Sequence, residues 1–133
     1  MDGKVDRIDL GGSLLDITDK RSKYMRFLHS ERAELRKLEA RHAQLVQYKT
    51  EYFRGDLNGT DVLKELGWEP FKGMVMKEDL ARRVATDRTV VRLAEQIGEQ
   101  KEKISVIAGI LDHIKSLSFD IRGAIEWQKF LAG

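Results

Sequence analysis

Two long series of apolar residues dominate the chain, and both advance by alternating steps of three and four. The later series runs Val90, Leu93, Ile97, Gln100, Ile104, Ile107, Leu111, Ile114, Ser118, Ile121 and Ile125, with only Gln100 and Ser118 polar. Alternating steps average 3.5 residues, so the stripe keeps to one face of a helix that supercoils against a neighbour. A stripe of this length outruns any short partner and calls for a long facing helix, other subunits, or both. The closing stretch, residues 110–133, carries the pattern to the end of the chain and is read as an assembly segment.

The earlier series runs Leu28, Glu31, Leu35, Leu38, His42, Leu45, Lys49 and Tyr52, with Tyr24 one step before it. It predicts a helix that starts at an N-cap on Thr18 or Asp19 and ends near Phe53, roughly 50 Å at 1.5 Å per residue. Glu31, His42 and Lys49 are polar on this stripe; they either set register or lie at its edge. Residues 1–18 mix acids with small residues and are expected to form a flexible acidic arm.

Between the two series the chain reads as a connection. Gly55, Asn58 and Gly59 stop the first helix. Thr60 caps a short helical turn, Asp61 to Leu66, which Gly67 ends. Pro70 holds Glu69 extended, while Trp68 and Phe71 need burial and are expected to cover the end of the helical pair. The second long helix is predicted from near Lys77, with Leu80 and Val84 leading into its stripe. Gly98 and Gly109 cost it about 1 kcal/mol each relative to alanine, either as flaws or where another backbone comes close. A bend is expected at Leu117 to Asp120, followed by a last helical segment. The fold class is therefore all-α: two long antiparallel, heptad-patterned helices joined by a loop with a short helix, plus a C-terminal helical segment. Residues 19–133 are expected to form a single helical domain.

Charge changes this picture. The net charge of the 133 residues is only +2, but the balance is −3 over residues 1–19, +6 over 20–54, −3 over 55–79 and +2 over 80–133. The positive charge is concentrated on the first helix, as a polyanion-binding surface requires and as a solvated helix face also allows. Cysteine is absent, which excludes disulfides and thiolate zinc sites. No stretch approaches the roughly 20 apolar residues of a membrane span, and the N-terminus lacks the apolar run of a signal peptide, so the expected location is the cytoplasm.

Candidate chemistry narrows the choice further. His29, His42 and His113 have no metal-ligand spacing, no glycine-rich stretch leads into Lys-Ser/Thr, and no serine sits in a nucleophile elbow. No enzyme activity, metal or cofactor is expected. Arg32, Arg36, Lys37, Arg41, Lys49 and Arg54 instead lie on the basic helix, and Tyr48, Tyr52 and Phe53 crowd its end. Mobile cations meet phosphates and aromatic rings stack on single-stranded bases, although the same rings also serve as core. Arg82, Arg83, Arg88 and Arg92 form a second basic run. The alternative is a coiled-coil scaffold or assembly adaptor with no nucleic-acid role.

Several motifs resemble the UvsY family of phage recombination mediators. They are Lys49-x-Glu51-Tyr52-Phe53-x-Gly55, Trp68-x-Pro70-Phe71, Lys77-x-Asp79-Leu80, Asp87-x-x-Val90, and the ending Phe119-x-Ile121-Arg122-x-Ala124-Ile125-Glu126-Trp127-Gln128-Lys129-Phe130. The resemblance covers roughly residues 24–133. It implies a helical homo-oligomer, a ring of six or seven, that binds single-stranded DNA and helps a RecA-like recombinase displace a single-strand-binding protein, in recombination and repair in the host cell cytoplasm. No membrane contact is expected, since the chain has no apolar span. The family's DNA-binding signature has two basic residues, one apart, before the aromatic pair; Lys49 matches the second and Gln47 replaces the first. With it, Arg36, Lys37, Arg41, Tyr48, Phe53 and Arg54 become the candidate DNA-binding residues. Assembly is expected through Ile104, Ile107, Leu111, Ile114, Ile121, Ile125, Trp127 and Phe130.

Overall fold

The first apolar series starts earlier than Tyr24. In the computed structural model, which describes residues 3–133 and their side chains from Leu10 onward, helix α1 spans Gly3–Arg54. Extending the three-four alternation backwards gives Arg21, Ile17, Leu14 and Leu10, and of these only Arg21 is fully exposed. Thr18 is accordingly inside the helix and not its N-cap: its hydroxyl donates to the Leu14 carbonyl at 2.9 Å, one turn back. Gly11 and Gly12, which marked a flexible stretch in the sequence, are tolerated within α1 at about 1 kcal/mol each because the flanking apolar positions still pack.

Four further elements follow: α2 (Asp61–Leu66), a 3-10 turn (Lys77–Asp79), α3 (Leu80–Ala85) and α4 (Arg88–Ala132). Each assigned element among the described residues is helical. α2 forms as its caps dictate, with the Thr60 side chain accepting from the Leu63 amide and Gly67 closing it at φ 71°. The second long helix does not run unbroken from Lys77. Thr86 donates its hydroxyl back to the Arg82 carbonyl and ends α3, and the Asp87 carboxylate accepts from the Thr89 and Val90 amides and starts α4 anew. An aspartate with two free amides ahead of it is a helix N-cap, and this one splits the expected helix in two.

α4 continues through Leu117–Asp120, where a bend was expected, and the C-terminal segment is the last part of α4. Nothing in that stretch removes a backbone donor, and Leu117 and Phe119 are compatible with a helix. Gly98 and Gly109 have no atom of another described segment within 4 Å of the point where a Cβ would sit, so no such backbone crowds them.

The chain divides into two compact units. In the first, residues 1–33 with 101–133, Leu28, Ile107 and Ile114 are buried. Glu31, polar on its stripe, there accepts an ion pair from Lys103 at 3.1 Å. In the second unit, Glu34–Gln100, the core is Phe53, Leu80, Val84 and Val90, bordered by Leu45, Val46, Tyr52, Phe71 and Val75. Burial of each such side chain stabilises by about 1.5–3 kcal/mol, which ties the end of α1 to α3 and the start of α4.

Candidate nucleic-acid interface

The end of α1 positions the candidate residues. Gly55 at φ 84° turns the chain out of the helix, a conformation without steric cost only for glycine. The connection then folds back over the helix end through two local devices. The Asn58 side chain pairs with the backbone of Phe71, its amide donating to the carbonyl at 3.1 Å and its oxygen accepting from the Phe71 N–H at 3.0 Å. The Tyr52 hydroxyl donates to the Glu69 carbonyl at 2.7 Å. Between these anchors the rings meet at their edges, Tyr52 with Trp68 at 5.3 Å and Phe53 with Phe71 at 5.2 Å.

This cluster decides what the aromatic residues do. Phe53 is 4% exposed and belongs to the core, so its ring has no free face for a base. Tyr52 and Trp68 are half-buried in the same packing. Tyr48 is half-buried outside the core and accepts from Gln44 at 3.4 Å, so of the three aromatic residues near the helix end it is the one outside the cluster.

Lys49 also departs from the role of a mobile phosphate contact. It is 9% exposed, and its ammonium lies 3.4 Å from Asp87 Oδ1 and 4.2 Å from the Trp68 ring centre. The same ammonium faces Tyr52 at 5.5 Å and Phe53 at 6.0 Å. An ammonium held by a carboxylate and three ring faces is already satisfied, and moving it to a phosphate means breaking a largely desolvated pair. Burial pushes the Asp87 carboxyl up, but the Thr89 hydroxyl, the Val90 amide and the Lys49 ammonium together outweigh it and hold the group below its ordinary value. Asp87 thus joins α1 to the start of α4 while capping α4.

The remaining cations are differently placed. Arg36, Lys37, Arg41 and Arg54 are all exposed, and Arg36, Lys37 and Arg41 lie on the α1 surface away from the half-buried or buried Leu35, Leu38, His42 and Leu45. In the second basic run, Arg82 pairs with Asp79 at 3.1 Å and Arg83 lies over the Phe53 ring at 4.6 Å, while Arg88 and Arg92 remain exposed. Gln47, standing where the resemblance calls for a cation, is exposed as well.

Of the expected assembly residues, Ile107 and Ile114 are buried and Ile104, Leu111, Ile121 and Ile125 half-buried. Ile107 and Ile114 are therefore covered within the chain. Trp127 and Phe130 are 60% and 73% exposed and stack on each other at 5.6 Å. No group of metal-ligating side chains forms among the described residues, and no helix there is long and apolar enough to cross a membrane.

These features define an all-helical binding protein with an exposed cationic face on its first long helix and an aromatic clasp at that helix's end. The chain belongs to the UvsY family of recombination, repair and single-stranded DNA binding proteins, whose model matches residues 1–133. Among solved structures it is similar to that of the bacteriophage T4 recombination mediator protein UvsY in its lattice type II crystal form. The TM-score is 0.75 at 20% identity, over 100% of this chain and 88% of that one. At that identity the likeness establishes the fold. No curated protein sequence matches the chain. The family is one of binding proteins and not of enzymes, and its role lies in recombination, repair and single-stranded DNA binding.

Proposed function

We propose that the chain is a recombination mediator. It holds single-stranded DNA on the exposed face of α1 and promotes loading of a RecA-like recombinase onto DNA covered by single-strand-binding protein, in the host cytoplasm. The observation that carries this reading is the group of exposed cations Arg36, Lys37 and Arg41, on a helix of a chain whose family binds single-stranded DNA. The similar T4 protein is described as a recombination mediator, which supports the same role here. Tyr48 extends the contact surface. Lys49 and Phe53 contribute by holding the helix end in shape.

The working form in this reading is a ring of six or seven subunits. Each subunit brings a few phosphate contacts, and linking several copies raises the effective concentration of the later contacts, so a weak site becomes a strong and salt-sensitive one. Residues 110–133 act as the assembly segment, with the exposed Trp127–Phe130 stack as its subunit contact. A strand drawn onto such a ring leaves its complex with the competing protein and offers the recombinase a place to nucleate.

The test is fluorescence anisotropy of a labelled oligothymidylate, titrated at several salt concentrations, with light scattering on the same samples. Saturable binding with a steep negative salt slope, preferred over duplex, supports the reading. A chain that assembles but shows no saturable single-strand binding is an adaptor.

A further inference from the structure

Two cavities in the second unit meet on the side of α1 that carries Val46 and Thr50. The larger, about 600 Å³, has an aliphatic floor of Val46, Leu80, Ala81, Val84, Val90 and Ala94. The smaller, about 450 Å³, runs under Met74 and Val75 and reaches Phe53. Both are lined by Arg54, Lys77 and Leu80, so they form one groove with two cations at its waist; His42 lines the far end. No carboxylate lines either cavity among the described residues, and neither Arg54 nor Lys77 makes an ion pair there. At the Met74 end the side chain stands 94% exposed, an adaptable thioether with nothing packed on it.

We propose that this groove docks an acidic, amphipathic helical segment of a partner protein, independently of DNA binding. The floor is made of small and branched aliphatic side chains, which suit the apolar residues that a helix presents at three- and four-residue spacing. The two cations stand where such a helix would turn its carboxylates, and their uncompensated charge selects an acidic segment over a basic one. The groove suits a nucleic-acid strand poorly. A strand needs a succession of cations and open ring faces, whereas this groove has one pair of cations and the phenyl ring that lines it, Phe53, is buried in the core.

The full-length chain is titrated against a fluorescein-labelled synthetic amphipathic peptide with leucines at helical spacing and glutamates on its other face. A lysine version of the peptide, a peptide of residues 1–19 of this chain and an oligothymidylate serve as comparisons. The acidic peptide is expected to bind saturably and the lysine version not. Ala85→Trp, which fills the larger cavity, and Lys77→Glu should each weaken the acidic peptide by about tenfold or more, with oligothymidylate affinity unchanged. If Ala85→Trp disturbs folding by circular dichroism, Ala94→Glu replaces it. Absence of saturable binding, or equal binding by the variants, overturns the proposal. Loss of oligothymidylate affinity in Ala85→Trp would make the groove a DNA site, and tighter binding of the 1–19 peptide would make its occupant a neighbouring copy; either result also overturns it. Failure of oligothymidylate binding alone would refute the mediator reading and leave the groove assignment standing.

Discussion

The Lys49 ammonium lies 3.4 Å from Asp87 Oδ1, beneath the Trp68 ring, and this pair fastens the end of α1 to the first turn of α4. Both side chains are largely withdrawn from water, so each is costly to leave alone. Lys49→Ala strands the Asp87 carboxylate, and Asp87→Ala removes a helix cap as well as a counter-charge. Each substitution should destabilise by about 3 kcal/mol, read as a lowered urea midpoint, and the double variant should lose less than the two together. A Lys49→Ala chain with parental stability and weakened DNA binding would instead make Lys49 a direct contact.

The same pair sets a dependence on pH. Asp87 is held below its ordinary carboxylate value in the folded chain. A depressed carboxylate contributes stability that is fully present above the unfolded value, near 4, and is lost as pH falls through the lower folded value. Unfolding midpoints should therefore decline below about pH 4, and Asp87→Asn should flatten that limb. Parallel pH curves for the two proteins would remove Asp87 from the account.

Arg36, Lys37 and Arg41 are exposed, so replacing them tests DNA contact with little effect on the fold. The triple alanine variant should stay within about 0.5 kcal/mol per site of the parent in stability. Its plot of log affinity against log salt should be shallower by about 0.7 for each phosphate of the strand that is no longer neutralised. An unchanged slope would mean that the strand runs elsewhere.

How far the sequence discloses this molecule depends on the type of signal. Both long helices, α2 and its caps were legible because three-four periodicity, Thr60 and Gly67 are local signals. The start of α1 was obscured by Gly11-Gly12, although Leu10, Leu14 and Ile17 continue the stripe in phase. The split between α3 and α4 turned on Asp87, whose capping role competes with helix continuation and is visible only once its amide partners are placed. The site was less legible. A lysine beside two aromatic residues reads equally as a DNA contact or as the centre of a cation–π cluster, and only the position of Asp87, 38 residues away in sequence, separates the two.

The two glycines near the start of α1 give a direct check of that helix. Beyond the helix's own backbone, neither has a described atom within 4 Å of the missing Cβ, so alanine meets no obstacle. Gly11→Ala with Gly12→Ala should raise stability by about 1–2 kcal/mol, since each glycine carries an entropic cost in a helix. A differential scanning measurement with unchanged Tm would mean that residues 3–18 are not helical in solution.

Subunits are expected to meet at the C-terminal end of α4. Ile107 and Ile114 are buried within the chain, so an alanine at either acts first on the fold and only then on assembly. The Trp127–Phe130 stack is different, because both rings are mostly exposed and nothing within the described chain covers them. Exposed aromatic pairs of this kind are costly to leave in water and are typical anchors of an interface. Trp127→Ser with Phe130→Ser should therefore leave the unfolding midpoint of the isolated subunit nearly unchanged while reducing the mass seen by light scattering. Single-strand affinity should fall with it as avidity declines, and the salt slope per subunit should remain, because the cations of α1 are untouched. A variant that keeps the parental mass would move the subunit contact off this stack and onto another exposed surface of the chain.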